Sequence, residues 1–307
     1  MKSIFVFNPE SGNGKLKKYK DYILKELSQK YGDVECVETT HAGHARELAQ
    51  KAPGNYSYFF IAGGDGTVNE IINGFGEQPN KPVIGYIPCG TVNDISRSLG
   101  ISRNIKKAVK NLITGEVYAH DIFKVNDKYG MYVCCTGLFT KSSYSTKREY
   151  KKKMGKIAYF FNGAKDVFTA RPVPVTIDYK GNTIHRDCSL VLILNSRSVA
   201  GFKLNKRAAL NDGAVDVVLV HSDKREVRVQ DIISTLSLFV RGLKKYEISD
   251  KVTHLKLSNF TLTTKEGTVI NLDGEKSAAG SFKFDVLKQA VQIIVPKKYN
   301  SQKYNQF

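Results

Sequence analysis

The sequence predicts an α/β fold of two domains: a parallel-sheet domain first, then a domain of mostly antiparallel strands that forms a β-sandwich. As far as residue 121, short apolar runs alternate with segments of helical periodicity, which is typical of a parallel sheet covered by helices. Beyond it, strand-like runs are separated by turn residues, and few helical segments interrupt them. The length of 307 residues also suits two domains of roughly 100 to 200 residues each.

The N-terminal part begins with an apolar run at residues 4–7 and a turn-rich loop from Asn8 to Gly14. Apolar residues then recur at helical spacing from Tyr19 to Leu27. The same patterns continue along the chain. They predict strands at 34–39, 56–62 and 83–87, and helices at 43–51, 68–75, 93–99 and 105–112.

The C-terminal part shows strand-like runs bounded by turn signals such as Asn126-Asp127 and Lys180-Gly181-Asn182. Two helical stretches interrupt them, at 157–168 and 226–243. The predicted strands are 122–126, 131–135, 173–179, 183–194, 214–221, 254–263 and 268–272.

Composition and charge exclude several classes of protein. The 47 Lys and Arg residues outnumber the 29 Asp and Glu residues, giving a net charge of +18. No apolar stretch approaches the roughly 20 residues that span a bilayer, and the N-terminal apolar run is too short for a signal peptide. We therefore expect a cytoplasmic protein. The charge leaves nucleic acid, an anionic membrane surface or a phosphorylated ligand open as partners.

The segment Gly63-Gly64-Asp65-Gly66-Thr67-Val68-Asn69-Glu70 is the strongest local signal, because it lies between an apolar strand and a helix. Glycines allow a polyphosphate to approach the backbone, and a helix N-terminus offers unpaired N–H groups. A tight turn is the simpler interpretation, since Gly and Asp are turn residues. The position at the end of a parallel strand favours phosphate binding.

Two further loops follow neighbouring strands. One of them is Pro88-Cys89-Gly90-Thr91-Val92-Asn93-Asp94, in which Gly90 and Thr91 offer hydrogen-bond donors to a ligand. The loop also offers a cap for the next helix, and helix capping alone accounts for its residues equally well. The loop from Asn8 to Lys15 matches neither common phosphate-loop motif. Because all three loops follow strands of the same predicted sheet, we expect them to face one crevice.

Two Asp-Gly pairs occur in the C-terminal part. Asp273-Gly274 ends a strand, where an aspartate could accept a proton from a substrate hydroxyl, but a hairpin turn is favoured by the residues alone. Asp212-Gly213 is likewise a turn unless a cation binds there. Residues 141–156 hold seven basic side chains and one acidic one, a pattern typical of a solvated loop and, secondly, of attraction to anionic lipid. The five cysteines and six histidines form no metal-ligand pattern.

Together these motifs resemble the bacterial diacylglycerol kinase and lipid kinase family, which is related to the sphingosine and ceramide kinases. The resemblance rests on the order of Asn8-Pro9-x-Ser11-Gly12, Thr39, the Gly63–Glu70 motif, the Pro88–Asp94 motif, Asp212-Gly213 and Asp273-Gly274-Glu275, and it covers nearly the whole chain. Val92 and the stretch from Ser198 to Phe202 look most like the soluble diacylglycerol kinase branch.

The resemblance implies a phosphofructokinase-like nucleotide domain at 1–122, joined by a returning segment at 290–307, and a β-sandwich lipid-substrate domain at 123–289. It implies ATP and Mg²⁺, with Asp273 as general base and Glu275 in support. Removing the Asp273 carboxylate is then expected to abolish turnover and leave folding nearly intact. The implied structural magnesium site comprises Asp212 and the carbonyls of Ala209 and Ala214. The implied nucleotide-binding residues are Asn8, Pro9, Ser11, Gly12, Thr39, Gly63, Gly64, Asp65, Gly66, Thr67, Val68, Asn69 and Thr91.

The function predicted on this basis is phosphorylation of diacylglycerol to phosphatidic acid by a cytoplasmic enzyme that associates peripherally with anionic membranes. The alternatives are an NAD kinase-like enzyme and a non-catalytic lipid-sensing regulator with the same fold. Nucleic acid is the partner least favoured by the motifs. An exposed edge of the β-rich domain leaves a homodimer open.

Overall fold

A computed structural model describes residues 2–9, 11, 14–138, 171–222, 229–243 and 251–300. The predicted helix at 157–168 and the basic run at 141–156 lie outside these residues. The chain divides into two compact units, Met1–Ile122 with Lys288–Phe307, and Phe123–Leu287. The resemblance implied domains at 1–122 with 290–307 and at 123–289.

The first unit is built on parallel strands. Neighbouring strands follow the order β2 (Val34–Glu38), β1 (Ser3–Phe7), β3 (Tyr58–Gly63) and β4 (Val83–Pro88). The last residues of a long strand, β13 (Glu275–Val295), pair with β4 in parallel through Ile293 and Ile84. Every residue of β1 is buried, as expected for a central strand covered on both faces.

Helices cover this sheet. One face packs on α1 (Lys20–Tyr31) and α5 (Ile105–Thr114), and the core there includes Phe5, Phe60 and Leu112. The other helices are α2 (His44–Gln50), α3 (Asp65–Phe75), α4 (Asp94–Ser98) and the short C-terminal α7 (Lys297–Asn300), together with a 3₁₀ turn at Lys15–Tyr19.

The second unit consists of antiparallel strands and one long helix. Four of its strands are β7 (Val133–Gly137), β8 (Val173–Tyr179), β9 (Asn182–Leu194) and β12 (Asn259–Leu272). The pairings β9 with β7, β7 with β12, β12 with β8 and β8 with β9 form a closed circuit around an apolar core that includes Phe260, Phe282 and Phe284. Helix α6 (Val229–Arg241) contributes Leu238 and Phe239 to a second core. The strands are β5 (Glu116–Val125), β6 (Lys128–Gly130), β7 (Val133–Gly137), β8 (Val173–Tyr179), β9 (Asn182–Leu194), β10 (Val215–His221), β11 (Val252–Leu257), β12 (Asn259–Leu272) and β13.

Several boundaries differ from the prediction. Strands β11 and β12 divide at Ser258, whereas the sequence suggested one strand over 254–263 and another over 268–272. The register of β12 against β13 is irregular between Thr263 and Thr268, which explains the apparent gap. Most of β13 was missed because its first residues, 275–281, include no large apolar side chain that would mark a buried face. Helix α3 begins at Asp65, three residues earlier than predicted, so the glycine motif is partly helical.

Candidate active site

The loops singled out in the sequence lie at the carboxyl edge of the parallel sheet. Phe7 pairs with both Glu38 and Ala62, and Gly63 pairs with Pro88, so neighbouring strands end level with one another. Backbone hydrogen bonds continue beyond the strands, from Thr39 N to Phe7 O at 2.9 Å and from Cys89 N to Gly63 O at 2.7 Å. The sheet therefore brings the loops after β1, β2, β3 and β4 to one edge.

The two glycine-containing loops are in direct backbone contact. A Cβ atom on Gly90 would lie 2.6 Å from the Cα of Gly64, and one on Gly64 would lie 3.3 Å from the Cα of Gly90. The first distance is shorter than real Cβ contacts, so the loops approach this closely only because neither residue has a side chain. The glycines thus shape the site by allowing backbone to meet backbone.

Asp65 joins the two loops through hydrogen bonds. Its carboxylate oxygens accept the N–H of Asp94 at 2.9 Å and of Ile95 at 3.2 Å, at the start of α4. The carboxylate therefore satisfies N-terminal amides of a helix, where negative charge is favoured. These bonds assign Asp65 a positioning role beside the nucleotide role implied by the resemblance.

Asn93 fixes the second loop from within. It has a left-handed φ of 56°, its Oδ1 accepts the N–H of Gly90 at 2.9 Å, and its Nδ2 donates to the Gly90 carbonyl at 2.7 Å. The hydroxyl of Tyr86 donates to the same Oδ1 at 3.3 Å. Burial raises the pKa of Tyr86 well above its usual value, and the nearby charge of Asp65 adds to this effect, so the hydroxyl stays protonated.

Of the other residues in the glycine motif, some lie at the surface and some in the core. Gly66 is exposed, and a Cβ there would meet no atom within 4 Å. Val68 is fully buried, and its N–H donates to the Gly64 carbonyl, so it stabilises the loop by packing. Asn69 is nearly buried and accepts a hydrogen bond from Asn73. The backbone at Gly64–Thr67 therefore remains the part of the motif best placed to meet a ligand.

A cavity of about 150 Å³ lies beside the second loop, lined by Ser11, Leu16, Pro88, Cys89, Gly90, Arg103 and Ile105. The Arg103 guanidinium donates to the Thr91 carbonyl at 3.0 Å, which brings a positive charge to the loop. Burial raises the pKa of the Cys89 thiol to about 11, so this thiol is protonated at neutral pH and is not a nucleophile. Arg103 belongs to no motif in the sequence. Gly12 lies outside the described residues.

Asp273 forms the turn that its sequence suggested. Asp273 and Gly274 are the two residues between β12 and β13, with φ angles of 50° and 99°, as a type I′ hairpin requires. Asp273 is buried, with 3% of the residue exposed, and its carboxylate accepts three backbone N–H groups, from Met131, Tyr132 and Val133. We therefore now expect removal of this carboxylate to lower stability as well, because three amides would lose their acceptor.

Asp212 lies on a loop of the second unit that precedes β10. One carboxylate oxygen accepts the N–H of Ala214 at 3.2 Å, and the other contacts the ammonium of Lys256. A carboxylate with main-chain carbonyls, such as those of Ala209 and Ala214, is an oxygen donor set of the kind that Mg²⁺ binds. These oxygen donors are therefore chemically suitable for Mg²⁺. In the structure, the ammonium of Lys256 balances the charge of the Asp212 carboxylate. In the described part of the chain, no three His, Cys, Asp or Glu side chains cluster as metal ligands.

Two family models match most of the chain. A family model described as the diacylglycerol kinase catalytic domain matches residues 2–125. Another, described as the YegS C-terminal NAD kinase beta sandwich-like domain, matches residues 137–295. The diacylglycerol kinase of Bacillus subtilis strain 168 is 31% identical over 301 residues, which are 97% of this chain and 97% of that protein. The chain belongs to the diacylglycerol kinase family.

Other members of the diacylglycerol kinase family are similarly related. The diacylglycerol kinase of Staphylococcus carnosus strain TM300 is 31% identical over 294 residues, covering 95% of this chain and 94% of that protein. A crystal structure of a diacylglycerol kinase from Bacillus anthracis strain Sterne has a TM-score of 0.80 at 26% identity and covers 96% of both chains. The resemblance noted from the motifs, and the α/β fold with a C-terminal β-sandwich-like domain, are thereby confirmed.

Proposed function

We propose that this protein transfers the γ-phosphoryl group of ATP to the hydroxyl of diacylglycerol, giving phosphatidic acid and ADP. The observation that best supports this function is the backbone contact of Gly64 with Gly90. It brings the loops after β3 and β4 together at the start of α3. Backbone N–H groups and a helix N-terminus suit the charge of a polyphosphate. The names of the full-length relatives support diacylglycerol as the acceptor.

The nucleotide site would be formed by the loops that begin at Asn8, Thr39, Gly64 and Pro88. Asn8, Pro9, Ser11, Gly12, Thr39 and Thr91 stay predicted nucleotide residues, and we add Arg103, whose guanidinium faces the same cavity as Ser11. The phosphofructokinase-like character of this domain also stays a prediction. The acidic Asp273-Gly274-Glu275 turn would supply the proton acceptor.

A panel of purified acceptors, assayed with radiolabelled ATP and Mg²⁺, tests this function. We expect label in phosphatidic acid when diacylglycerol is presented in detergent micelles, and none in NAD. The NAD arm matters because the C-terminal family model is described as NAD kinase-like. Phosphorylation of NAD in place of diacylglycerol would contradict the proposal, and inactivity on every acceptor would favour a lipid-sensing regulator.

We also propose that Mg²⁺ binds at Asp212, where the ion would neutralise the carboxylate and hold its loop. The ion would have to displace Lys256 from that carboxylate. We therefore expect Mg²⁺ to raise the unfolding temperature of wild type, and to raise that of Lys256→Gln further at the same concentration. Thermal unfolding with and without Mg²⁺ measures this. Asp212→Asn is the control that should lose the effect, and an unchanged response in that variant would exclude the site.

The charge of the chain favours peripheral association with anionic membranes. The net charge of +18 and the basic run at 141–156, which lies outside the described residues, support this proposal. Anionic vesicles should recruit the protein, rising salt should weaken the recruitment, and neutral vesicles should not bind it. Nucleic acid is not proposed as a partner, and a homodimer stays a prediction. Among the described helices, none is long and apolar enough to span a bilayer.

A further inference from the structure

A cavity of about 480 Å³ lies within the second unit, where β8, β9 and β12 run side by side. Small-molecule sites in proteins have volumes of roughly 300–1,000 Å³, so this cavity has room for a small ligand. Its described lining comes from three segments, 174–176 of β8, 185–187 of β9 and 263–265 of β12. None of these segments belongs to a motif that the sequence singled out.

One side of the cavity is a row of polar side chains across the three strands. Thr176 of β8 lies directly opposite His185 of β9 and Thr263 of β12. Directly paired residues project from the same face of a sheet. Because Val175 and Ile177 on either side of Thr176 are buried, this row faces away from the core. The Thr176 hydroxyl and Nδ1 of His185 are hydrogen-bonded at 2.8 Å, which fixes the imidazole ring at the cavity.

A break in strand pairing determines the backbone around Lys265. The ladder of β12 with β13 is regular up to Thr263 and resumes at Thr268, so the residues between them are out of register. The carbonyl of Lys265 accepts the hydroxyl groups of Thr264 and Thr268, which stabilises this irregular segment. Lys265 therefore lines the cavity from a segment with its own hydrogen bonds.

The charges of the lining are not neutralised within it. Among the described residues, neither Arg186 nor Lys265 forms an ion pair, and the guanidinium of Arg186 donates only to the carbonyl of His185, at 2.8 Å. Asp187 is the one acid of the described lining, and it pairs with neither cation. Two cations and one carboxylate thus share the cavity with several hydroxyl groups. Such a surplus of donors and positive charge attracts an anion.

We propose that this cavity binds a phosphate monoester group, whether free in solution or in the headgroup of a lipid. Arg186 and Lys265 would donate charge-assisted hydrogen bonds to its oxygens, with the Thr263 hydroxyl and the His185 ring beside them. A phosphate monoester carries about −1.5 to −2 charges at pH 7 and three acceptor oxygens, which suits this number of donors. The site goes beyond the proposed kinase function and does not require it.

Substitutions that change the charge of the lining test the site in both directions. Lys265→Gln and Arg186→Gln should each weaken phosphate binding about tenfold or more, the scale of one hydrogen bond to a charged group. Asp187→Asn should tighten binding, because it removes a negative charge that repels the ligand. Lys180→Gln is the matched control at an exposed lysine just beyond the other end of β8, and it should leave binding unchanged.

The NMR resonances of the His185 ring provide a measurement at the cavity itself, so phosphate bound at the nucleotide loops does not affect the result. Their absence in His185→Gln identifies them. Inorganic phosphate, glycerol 3-phosphate and detergent micelles with phosphatidic acid are titrated at constant pH and ionic strength. Micelles with diacylglycerol are the uncharged control. We expect the phosphate-containing ligands to shift the His185 resonances and diacylglycerol to leave them in place.

Shifts with inorganic phosphate and glycerol 3-phosphate would assign the site to free phosphate monoesters, and a shift with phosphatidic acid alone would assign it to a lipid headgroup. No shift with any of the three would overturn the proposal. So would an equal shift with chloride, or an unchanged affinity when Arg186→Gln and Lys265→Gln are combined. Wild type that phosphorylates no lipid would overturn the kinase function, and this site would still be judged by the titrations.

Discussion

Gly90→Ala is expected to abolish ATP-dependent turnover, with a loss of about 100-fold or more, the scale associated with displacing a site by about 1 Å. The new Cβ would lie 2.6 Å from the Cα of Gly64 and 2.7 Å from Oδ1 of Asn93. The Cα of Gly64 is a backbone atom and cannot move away by a change of rotamer, so the two loops must separate. Overpacking of this kind also costs about 1–3 kcal/mol of stability. Steady-state kinetics and thermal unfolding measure the two effects.

Gly66→Ala provides a matched test of the stability effect. This glycine lies in the same motif within helix α3, where a Cβ meets no atom within 4 Å. Alanine is preferred to glycine in a helix by about 1 kcal/mol, so the unfolding temperature should stay the same or rise. If Gly90→Ala is as stable as wild type and retains its turnover, the loop contact does not shape the site.

Asp65→Asn is expected to lower both stability and turnover. The substitution keeps one oxygen acceptor, so one of the amides of Asp94 and Ile95 loses its partner and the charge is removed as well. Hydrogen bonds to charged groups contribute about 1.5–3 kcal/mol each, and the loss should appear as a lower unfolding temperature. Because α4 and the second loop then lose their anchor, turnover should fall by about 100-fold.

Asp21→Asn is the control for removing one negative charge. Asp21 is exposed in the first turn of α1, where its loss should change stability by about 0.3–1 kcal/mol at most. Should Asp65→Asn lose turnover with wild-type stability, the Asp65 carboxylate would instead contact the nucleotide or its metal ion. A stability loss shared with turnover supports the anchor role.

Local patterns in the sequence were sufficient for most elements of the fold. Strand β8 has the predicted bounds, because Val173–Tyr179 alternates in burial and is followed by a Lys-Gly-Asn turn. Strand β13 was largely missed although Phe282 and Phe284 alternate with polar residues, since its first seven residues, 275–281, include no large apolar side chain. Sequence periodicity detects a strand only when its buried face is marked strongly enough.

For the candidate site, the sequence was sufficient to predict which loops form it, because glycine-rich turns after parallel strands are a local feature. Tertiary structure decided what the side chains in them contact. The bonds from Asp65 to the amides of Asp94 and Ile95 join residues 29 and 30 positions apart. Those from Asp273 to the amides of 131–133 join residues 140 to 142 positions apart. No motif in the sequence indicated that Arg103 lies beside Thr91.

The sequence by itself therefore determined the α/β class and the membership of the diacylglycerol kinase family, because these depend on periodicity and on motif order. Only the tertiary structure decided that two motif aspartates bind backbone amides and that Glu275 is exposed. The physical reason is that an aspartate or glutamate is written identically in the sequence whether its carboxylate binds amides, a metal ion or a substrate. Only the groups that the fold places around the carboxylate decide which of these it binds.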